Sequence, residues 1–243
     1  MKTTHLYFIH HSCYLWEGEE MFLLFDYAGA GDPHSLIAHA PNKPLYLLNT
    51  HSHHDHYTPQ IFKEFTEHPA GGHYLFHQEL KSVVCEKEEI TFLATGASYT
   101  THNLYVKAYG STDIGGSFYC EAEGQRIFHS GDLNNWHWNE EADQYHIDLY
   151  EAAWHRVLKR LTSDIQELDL LMFPTDLRLG KDYLKGLEEL LAQVRVKYLA
   201  PMHINGKLQS SALQALAKAH HIELLIPTPN VARPITTQTT KES

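Results

Sequence analysis

A short apolar run that leads into a cluster of metal-binding side chains constrains this chain more than any other feature. Residues 45–48 read Leu-Tyr-Leu-Leu and have the length of a buried strand, with Pro41 and Pro44 near its start. Residues 50–56 follow, and five of these seven can ligate a metal. Ligands that start at the end of a buried strand are held by a rigid element, as a metal site requires.

The ligand spacing within residues 50–56 favours two nearby metal ions over one. His51, His53 and Asp55 lie two residues apart, so in an extended segment their side chains point to the same side. His56 follows immediately and points elsewhere. The alternative is a solvated histidine tract of the kind found in tags. It fits less well, because tags lie at termini in low-complexity sequence and this motif lies inside a patterned domain.

The order His-x-His-x-Asp-His resembles the metal-binding signature of the metallo-β-lactamase superfamily, and three further parts of the chain resemble that family. Residues 7–12 and 22–26 are similar to the opening hairpin of lactonase-like members, in which a Gly-His-Ser-type turn precedes a strand ending in Asp. Residues 128–132 resemble the segment whose carboxylate, here Asp132, bridges both metals. Residues 200–203 resemble the late strand end whose histidine, here His203, binds the second metal. These segments follow the family order.

One segment departs from the family pattern. Most members carry a third histidine for the first metal on a loop between two strands, and here residues 110–113 read Gly-Ser-Thr-Asp. Asp113 is the best substitute, because a carboxylate ligates at about 2.0–2.2 Å, close to the reach of an imidazole nitrogen. Asp113 can equally cap a turn. His102 is a weaker competitor, because it precedes the strand that should come before the ligand.

The resemblance implies an α+β fold, the αββα sandwich, with two mixed β-sheets back to back and helices on the outer faces. We expect one domain over residues 1–235 and a disordered polar tail over 236–243. Patterning predicts strands near 5–10, 21–26, 45–50, 73–76, 90–94, 104–109, 116–122, 126–130, 168–173, 197–200 and 222–226. It predicts helices near 58–66, 139–162, 181–194 and 209–220.

The resemblance also implies the metal chemistry. His51, His53 and Asp113 would hold the first ion, and Asp55, His56 and His203 would hold the second. Asp132 would bridge the two ions, which would share a water that becomes the nucleophilic hydroxide, with Asp55 moving the proton. The expected cofactors are two divalent metal ions, with zinc as the leading candidate. The hard carboxylate oxygen of Asp113 would shift the metal preference of the site toward manganese or iron.

Five residues are candidates for contacts with the substrate. Trp136, His137 and Trp138 follow Asp132, and they either form a pocket wall or pack a helix against the sandwich. Arg178 either holds an anionic group or pairs with Asp176, and the pair is the favoured interpretation. His11, on the early hairpin, is either a pocket residue or a support for the ligands.

Composition limits the partners and the compartment. The net charge of −11 argues against a nucleic-acid partner, because such partners need a positive surface. No apolar run approaches the ~18 residues of a membrane span, and the N-terminus lacks a signal segment. Cys13, Cys85 and Cys120 are odd in number and match no metal or redox spacing, so they are expected to be reduced thiols. We therefore expect a cytoplasmic enzyme, with a homo-oligomer left open.

The predicted function is hydrolysis of a small molecule, a lactone or a phosphate-bearing metabolite, by a binuclear metal site. One alternative is a phosphodiesterase or nuclease, which the acidic charge disfavours. Another is a metal-binding protein without hydrolytic activity, such as a sensor or a redox protein. Redox members of the family usually carry a flavin domain, which this sequence lacks, but they tend to have carboxylate-rich sites.

Overall fold

The computed structural model describes residues 2–84, 89–204, 208 and 210–237, and it contains two seven-stranded β-sheets. The first sheet has the strand order β14-β1-β2-β3-β4-β5-β6 and the second the order β13-β12-β11-β10-β9-β8-β7. The strands of the first sheet are β1 Lys2–His10, β2 Cys13–Glu17, β3 Phe22–Phe25, β4 Leu45–Asn49, β5 Gly72–His77, β6 Ile90–Leu93 and β14 Ala232–Thr237. Those of the second are β7 Ser98–Thr100, β8 Leu104–Gly110, β9 Gly116–Ala122, β10 Gln125–His129, β11 Glu167–Pro174, β12 Arg195–Met202 and β13 Glu223–Leu224.

Both sheets are mixed, as expected for the sandwich. Strands β3 to β6 pair in parallel, and so do β10 to β13. The remaining pairs are antiparallel. Parallel strands carry their carboxyl ends to the same edge of a sheet, so the loops that follow β10, β11 and β12 lie at one edge of the second sheet. The loop that follows β4 lies at an edge of the first sheet.

The two sheets pack into a sandwich because their central strands are apolar on both faces, and β4 is an example. In β4, Tyr46 and Leu48 lie in the core between the sheets, whereas Leu45 and Leu47 lie in a second core under the helices. Side chains alternate between the faces of a strand, and a strand covered on both faces therefore reads as a continuous apolar run. The run at residues 45–48 reflects that double burial.

Among the described residues, five α-helices cover the outer faces. They are α1 Pro33–Ile37, α2 Ile61–Phe65, α3 Gln144–Asp164, α4 Lys185–Leu191 and α5 Ser210–Ala219, with 3₁₀ turns at Gln78–Ser82 and Leu177–Asp182. Ile61 and Phe65 of α2 pack with residues of the first sheet, and Trp154, Leu158 and Leu161 of α3 pack with residues of the second. The layers are therefore helix, sheet, sheet and helix, as the resemblance implies.

Several elements differ from the sequence prediction. Strands β2, β7 and β14 and helix α1 were not predicted, and α2 and α4 are shorter than expected. Thr236 and Thr237 were expected in a disordered tail, but they end β14, which pairs with β1. Residues 238–243 lie outside the described residues. None of the helices within the described part of the chain is both long and apolar enough to cross a membrane.

Candidate metal centre

The candidate site lies where four parallel strands end. Residues 50–56 follow β4, Asp132 follows β10, Asp176 follows β11 and His203 follows β12. The loop after β4 is held closely against the second sheet, because a Cβ atom on Gly115 would lie 2.4 Å from Cβ of His51. Gly115 also has a φ of 73°, which favours glycine. The two sheets therefore place the functional side chains against one another.

The chain turns within the histidine motif. The amides of His56 and Tyr57 both donate to the carbonyl of His53, at 2.9 Å each. This turn separates Asp55 from His51 and His53, so the expectation that these three point to the same side of an extended segment is wrong. The turn divides the motif into two groups of ligands, and this division is the one that the family resemblance implies.

The first group consists of His51, His53 and Asp132, whose ligand atoms lie within 4.8 Å of one another. Nε2 of His51 lies 3.1 Å from Nδ1 of His53 and 3.4 Å from Oδ2 of Asp132. His51 is fully buried, whereas His53 is exposed at the surface of the site. One side of this group therefore faces solvent.

The second group consists of His11, Asp55, His56 and His203, also with ligand atoms within 4.8 Å of one another. Nε2 of His11 lies 3.3 Å from Oδ2 of Asp55. Burial, together with His203 and His56, lowers the pKa of His11 in spite of the Asp55 carboxylate. The contact with His11 and the nearby His56 hold the pKa of Asp55 well below its usual range. These shifts favour a neutral imidazole at His11 and an ionised carboxylate at Asp55.

Asp132 stands between the two groups. Its Oδ2 lies 3.4 Å from Nε2 of His51, and its Oδ1 lies 3.1 Å from Nε2 of His56 and 3.6 Å from Nε2 of His203. Burial raises the pKa of this carboxyl, but the adjacent imidazoles outweigh burial and hold it well below its usual value. Asp132 thus presents one oxygen to each group.

Two buried carboxylates orient the imidazoles of the second group. Oδ2 of Asp26 lies 2.8 Å from Nδ1 of His56, and Asp26 also accepts from the amide and hydroxyl of Thr50 at 2.7 and 2.8 Å. Oδ2 of Asp176 lies 2.5 Å from Nδ1 of His203. Both contacts occupy Nδ1, which leaves Nε2 as the ligand atom.

The residues present fit bound divalent cations. Nε2 of His11, Nε2 of His56 and Oδ1 of Asp132 are buried and make no hydrogen bond of standard geometry. Nε2 of His11 nevertheless lies 3.3 Å from Oδ2 of Asp55, and Nε2 of His56 lies 3.1 Å from Oδ1 of Asp132. Leaving buried polar atoms unsatisfied is costly, and each of these atoms is a ligand type that divalent transition metals accept. Bound cations would satisfy all three atoms at once.

Residues 110–113, where most family members carry a third histidine, place Asp113 at the edge of the first group. Its Oδ2 lies 3.9 Å from Nδ1 of His53, and both side chains are about half exposed (45%). The amide of Asp113 donates to Oγ of Ser111, so the residue also belongs to a turn. His102 precedes β8 and Asp113 follows it, so His102 lies at the opposite end of this strand, in a different hollow.

An open cleft of about 500 Å³ leads to the site. Trp136 and Trp138 form one wall, with their rings stacked at 6.1 Å and 16°. The guanidinium of Arg178 lies 6.0 Å from the Trp138 ring centre. The cleft is lined by His53, His54, Asp55, Thr112, Asp113, Asp132, Trp136, Trp138, Tyr150, Arg178 and His203.

The structure contradicts one of the predicted substrate contacts and is consistent with another. His137 is fully buried, its Nε2 lies 3.1 Å from the carbonyl of Asp182, and its Nδ1 accepts from the amide of Asn139. The alternative in which His137 contacts substrate is therefore wrong, because its ring is buried and both ring nitrogens have partners within the fold. Arg178 forms the expected pair with Asp176, through Nε at 2.8 Å and Nη2 at 2.6 Å, and it also lines the cleft.

Sequence reasoning missed the supporting roles of Asp26 and Asp176. Each follows directly on, or shortly after, a buried apolar strand, and a buried acid at such a position is a signal of a polar partner.

The strained backbone of the site could not be predicted from the sequence either. His11, Asp26 and His203 have φ values of 49°, 46° and 58°, which are unusual for residues other than glycine. Such strain clusters at functional sites.

Comparison with known proteins gives one family and many similar structures. Residues 5–203 match the sequence model of the family described as "Beta-lactamase superfamily domain". No curated protein matches the chain in sequence. Among solved structures, Igni18, a novel metallo hydrolase from Ignicoccus hospitalis, is 12% identical with a TM-score of 0.67, over 98% of this chain and 100% of that one.

Two further structures show how widely this fold is used. An isothiocyanate hydrolase from Delia radicum gut bacteria is 15% identical with a TM-score of 0.54, over 96% of this chain and 100% of that chain. CmlA, a diiron beta-hydroxylase from Streptomyces venezuelae, is 10% identical with a TM-score of 0.66, over 98% of this chain and 55% of the other. At these identities the likeness concerns the fold alone.

Proposed function

The chain belongs to the β-lactamase superfamily, and from that premise we propose that it is a binuclear metal-dependent hydrolase of a small molecule. The observation that carries this proposal is the position of Asp132, which presents one carboxylate oxygen to each of two ligand groups on the floor of an open cleft. When bound, two divalent ions would supply an activated water and polarise a carbonyl or phosphoryl oxygen.

The side chains of the cleft support an attack by water rather than by a protein nucleophile. Among the described residues that line the cleft there is no serine or cysteine, and Thr112 donates its hydroxyl to the carbonyl of Asn134. Cys13 and Cys120 are buried in the core as free thiols, and burial raises the pKa of both. Cys85 lies outside the described residues.

In this proposal Asp55 handles the proton. Its neighbours keep the carboxyl ionised, so it can accept a hydrogen bond from the attacking water and orient it. It holds the proton of that water only transiently, while the proton passes to the leaving oxygen. The water oxygen attacks the carbonyl carbon or phosphorus, the bond to the leaving oxygen breaks, and that oxygen takes the proton from Asp55. Asp55 is well placed for this transfer because it lines the cleft and contacts the second ligand group.

The proposed substrates are lactones or phosphate-bearing metabolites. The stacked Trp136 and Trp138 offer an apolar face, and Arg178 adds a half-exposed cation next to it. An apolar wall with one convergent cation suits a small molecule with a compact body and an anionic group. Replacement of Arg178 by Gln should raise KM for an anionic lactone and leave KM for its uncharged analogue nearly unchanged.

The deciding experiment tests activity and metal content together. The purified protein, stripped with a chelator and reloaded with Zn²⁺ or Mn²⁺, should bind close to two ions and hydrolyse a lactone, a phosphodiester or a thioester. Asp132→Ala should lose ions and activity, whereas Asp164→Asn, on the ion pair with Lys107 outside the site, should keep both. Changing all three cysteines to alanine should leave activity in place. A reloaded protein that hydrolyses none of these substrates refutes the proposal.

A second candidate is a metal protein that does redox chemistry instead of hydrolysis. Its support is the carboxylate of Asp113 beside His53, which adds a hard oxygen to the first group. Anaerobic loading with Fe²⁺ followed by exposure to oxygen separates the candidates. Oxygen uptake coupled to oxidation of an added organic substrate favours the redox protein, and metal-dependent hydrolysis without oxygen uptake favours the hydrolase.

A further inference from the structure

We propose that His11 is a ligand of the second metal position, which is then enclosed by five protein side chains instead of the four that the family resemblance implies. The four are Asp55, His56, His203 and the shared Asp132. This inference rests on the metal site of the proposed function and not on its hydrolytic step. A fifth ligand affects which metal ion the second position prefers and which of the two positions fills first.

The distances around His11 are those of a ligand set. Its Nε2 lies 3.3 Å from Oδ2 of Asp55, and its ring centre lies 4.3 Å from that of His203 and 5.6 Å from that of His56. The ligand atoms of His11, Asp55, His56 and His203 lie within 4.8 Å of one another. A cation with bonds of about 2.0–2.2 Å holds its ligand atoms roughly 3 to 4.5 Å apart. A single ion can therefore contact all four after small side-chain movements.

Burial favours a cation over a substrate as the partner of His11. The residue is 6% exposed, and its Nε2 is buried and makes no hydrogen bond of standard geometry, although it lies 3.3 Å from Oδ2 of Asp55. The described residues that line the cleft include Asp55 and His203 but not His11. A substrate in the cleft meets those two side chains first, whereas an ion held between them lies within reach of the His11 ring.

The backbone directs the His11 ring into the second group. His11 lies in the tight turn between β1 and β2, with a φ of 49°, and the pairing of these strands is irregular between Phe8 and His10. A left-handed backbone at a residue other than glycine is strained and persists where the surroundings require it. The neighbouring His10 is exposed to solvent. The turn thus buries one of two adjacent histidines at the site.

A five-ligand second position makes the two metal positions unequal. Four-coordinate tetrahedral geometry is usual for structural zinc, whereas manganese and iron accept six ligands. Five protein ligands and one water complete six. The first position, with His51, His53 and the shared Asp132, is more open. We therefore expect the second position to fill first and to favour a six-coordinate ion.

The test compares His11→Ala and His11→Gln with His10→Ala, a matched control on the adjacent exposed histidine. Each full-length protein is stripped of metal and titrated with Co²⁺ in competition with a chelator, and circular dichroism checks the fold. Both His11 variants should lose about tenfold or more in affinity for the tighter Co²⁺ ion. The hyperfine-shifted proton signals of one imidazole should disappear with them. His10→Ala should match the parent protein in both measurements.

The outcomes separate this inference from the proposed function. If the His11 variants keep both Co²⁺ affinities and every shifted imidazole signal, His11 is not a ligand and the inference is overturned. A rise in KM with unchanged Co²⁺ binding likewise overturns it, because His11 is then a substrate contact. If the His11 variants bind Co²⁺ more weakly and the parent protein hydrolyses nothing, the inference stands and the proposed hydrolase fails.

Discussion

Nδ1 of His203 lies 2.5 Å from Oδ2 of Asp176, and both residues are almost fully buried. They come from neighbouring parallel strands, since His203 follows β12 and Asp176 follows β11. Burial raises the pKa of Asp176, but His203 and Arg178 outweigh burial and hold it well below the usual range. Asp176 therefore stays ionised and fixes the orientation of the His203 ring, with Nε2 toward Asp132.

We predict that Asp176→Asn weakens metal binding without unfolding the protein. The amide keeps the size of the side chain but removes the charge that orients His203, and loss of such a partner costs roughly 10- to 100-fold in metal affinity. Competition with a chelator measures the change, and Asp164→Asn serves as the control. Equal affinities in Asp176→Asn and the parent protein would contradict the role of Asp176.

The fold could be predicted where burial, on both faces of a strand or on one face of a helix, produces a clear pattern in the sequence. The apolar run of β4 and the long amphipathic pattern of α3 are such cases, and the two mixed sheets follow the family order of the motifs. Strands β7 and β14 could not be found this way. Both are edge strands with exposed residues, so they are specified by pairing with a neighbour rather than by their own pattern.

The residue types of the candidate ligands could be predicted from the sequence, but the directions in which their side chains point could not. Spacing by two residues indicated that Asp55 points with His51 and His53, yet the turn at His53 sends Asp55 to the other group. His137 was placed at the substrate because of its neighbours, although its ring is buried. Directions of this kind depend on backbone turns and left-handed residues, which propensities do not encode.

Replacement of Asp113 should weaken the first metal position. If its carboxylate completes the group of His51 and His53, Asp113→Ala removes a ligand and should lower the affinity of the weaker ion by about tenfold or more. Asp113→His should restore or raise zinc binding, because it supplies the family's usual donor. Titration with Zn²⁺ measures both. His102→Ala, at the far end of β8, is the control, and an equal effect of both alanine variants would refute the assignment.

Metal affinity should rise with pH in the neutral range. Burial lowers the pKa of His56, but the carboxylates of Asp132 and Asp26 outweigh burial and raise it to about 10 in the metal-free protein. At neutral pH a proton therefore occupies the imidazole that a metal must bind, and binding has to release it. Apparent affinity should rise roughly tenfold per pH unit for each proton released.

Calorimetry of metal binding in two buffers with different ionisation enthalpies counts the protons released. We expect at least one proton per chain at about pH 7. Titrations at about pH 6 and about pH 8 give the slope of the affinity against pH. An affinity that stays flat across this range would show that His56 is already unprotonated in the metal-free protein.

Far from the motif, the buried carboxylate of Glu17 joins three parts of the first half of the chain. It accepts from the hydroxyl of Tyr7 at 2.9 Å and from Nζ of Lys43 at 3.1 Å, and it lies 2.7 Å from Nε2 of His39. Burial raises the pKa of Glu17, but these three partners outweigh burial and lower it. The ionised carboxylate therefore stabilises the folded state.

Glu17→Gln should lower the free energy of unfolding by about 1–3 kcal/mol at neutral pH, because the partners then face an uncharged amide. Since the folded-state pKa is lowered, the stabilisation is full above the unfolded-state pKa and is lost as the pH falls through the folded-state pKa. Urea unfolding of the two proteins should therefore differ at about pH 7 and converge at lower pH. Glu167→Gln, on a more exposed ion pair with Arg195, should cost at most about 1 kcal/mol. A difference between Glu17→Gln and the parent protein that stays constant at all pH values would show that packing, and not charge, explains the effect.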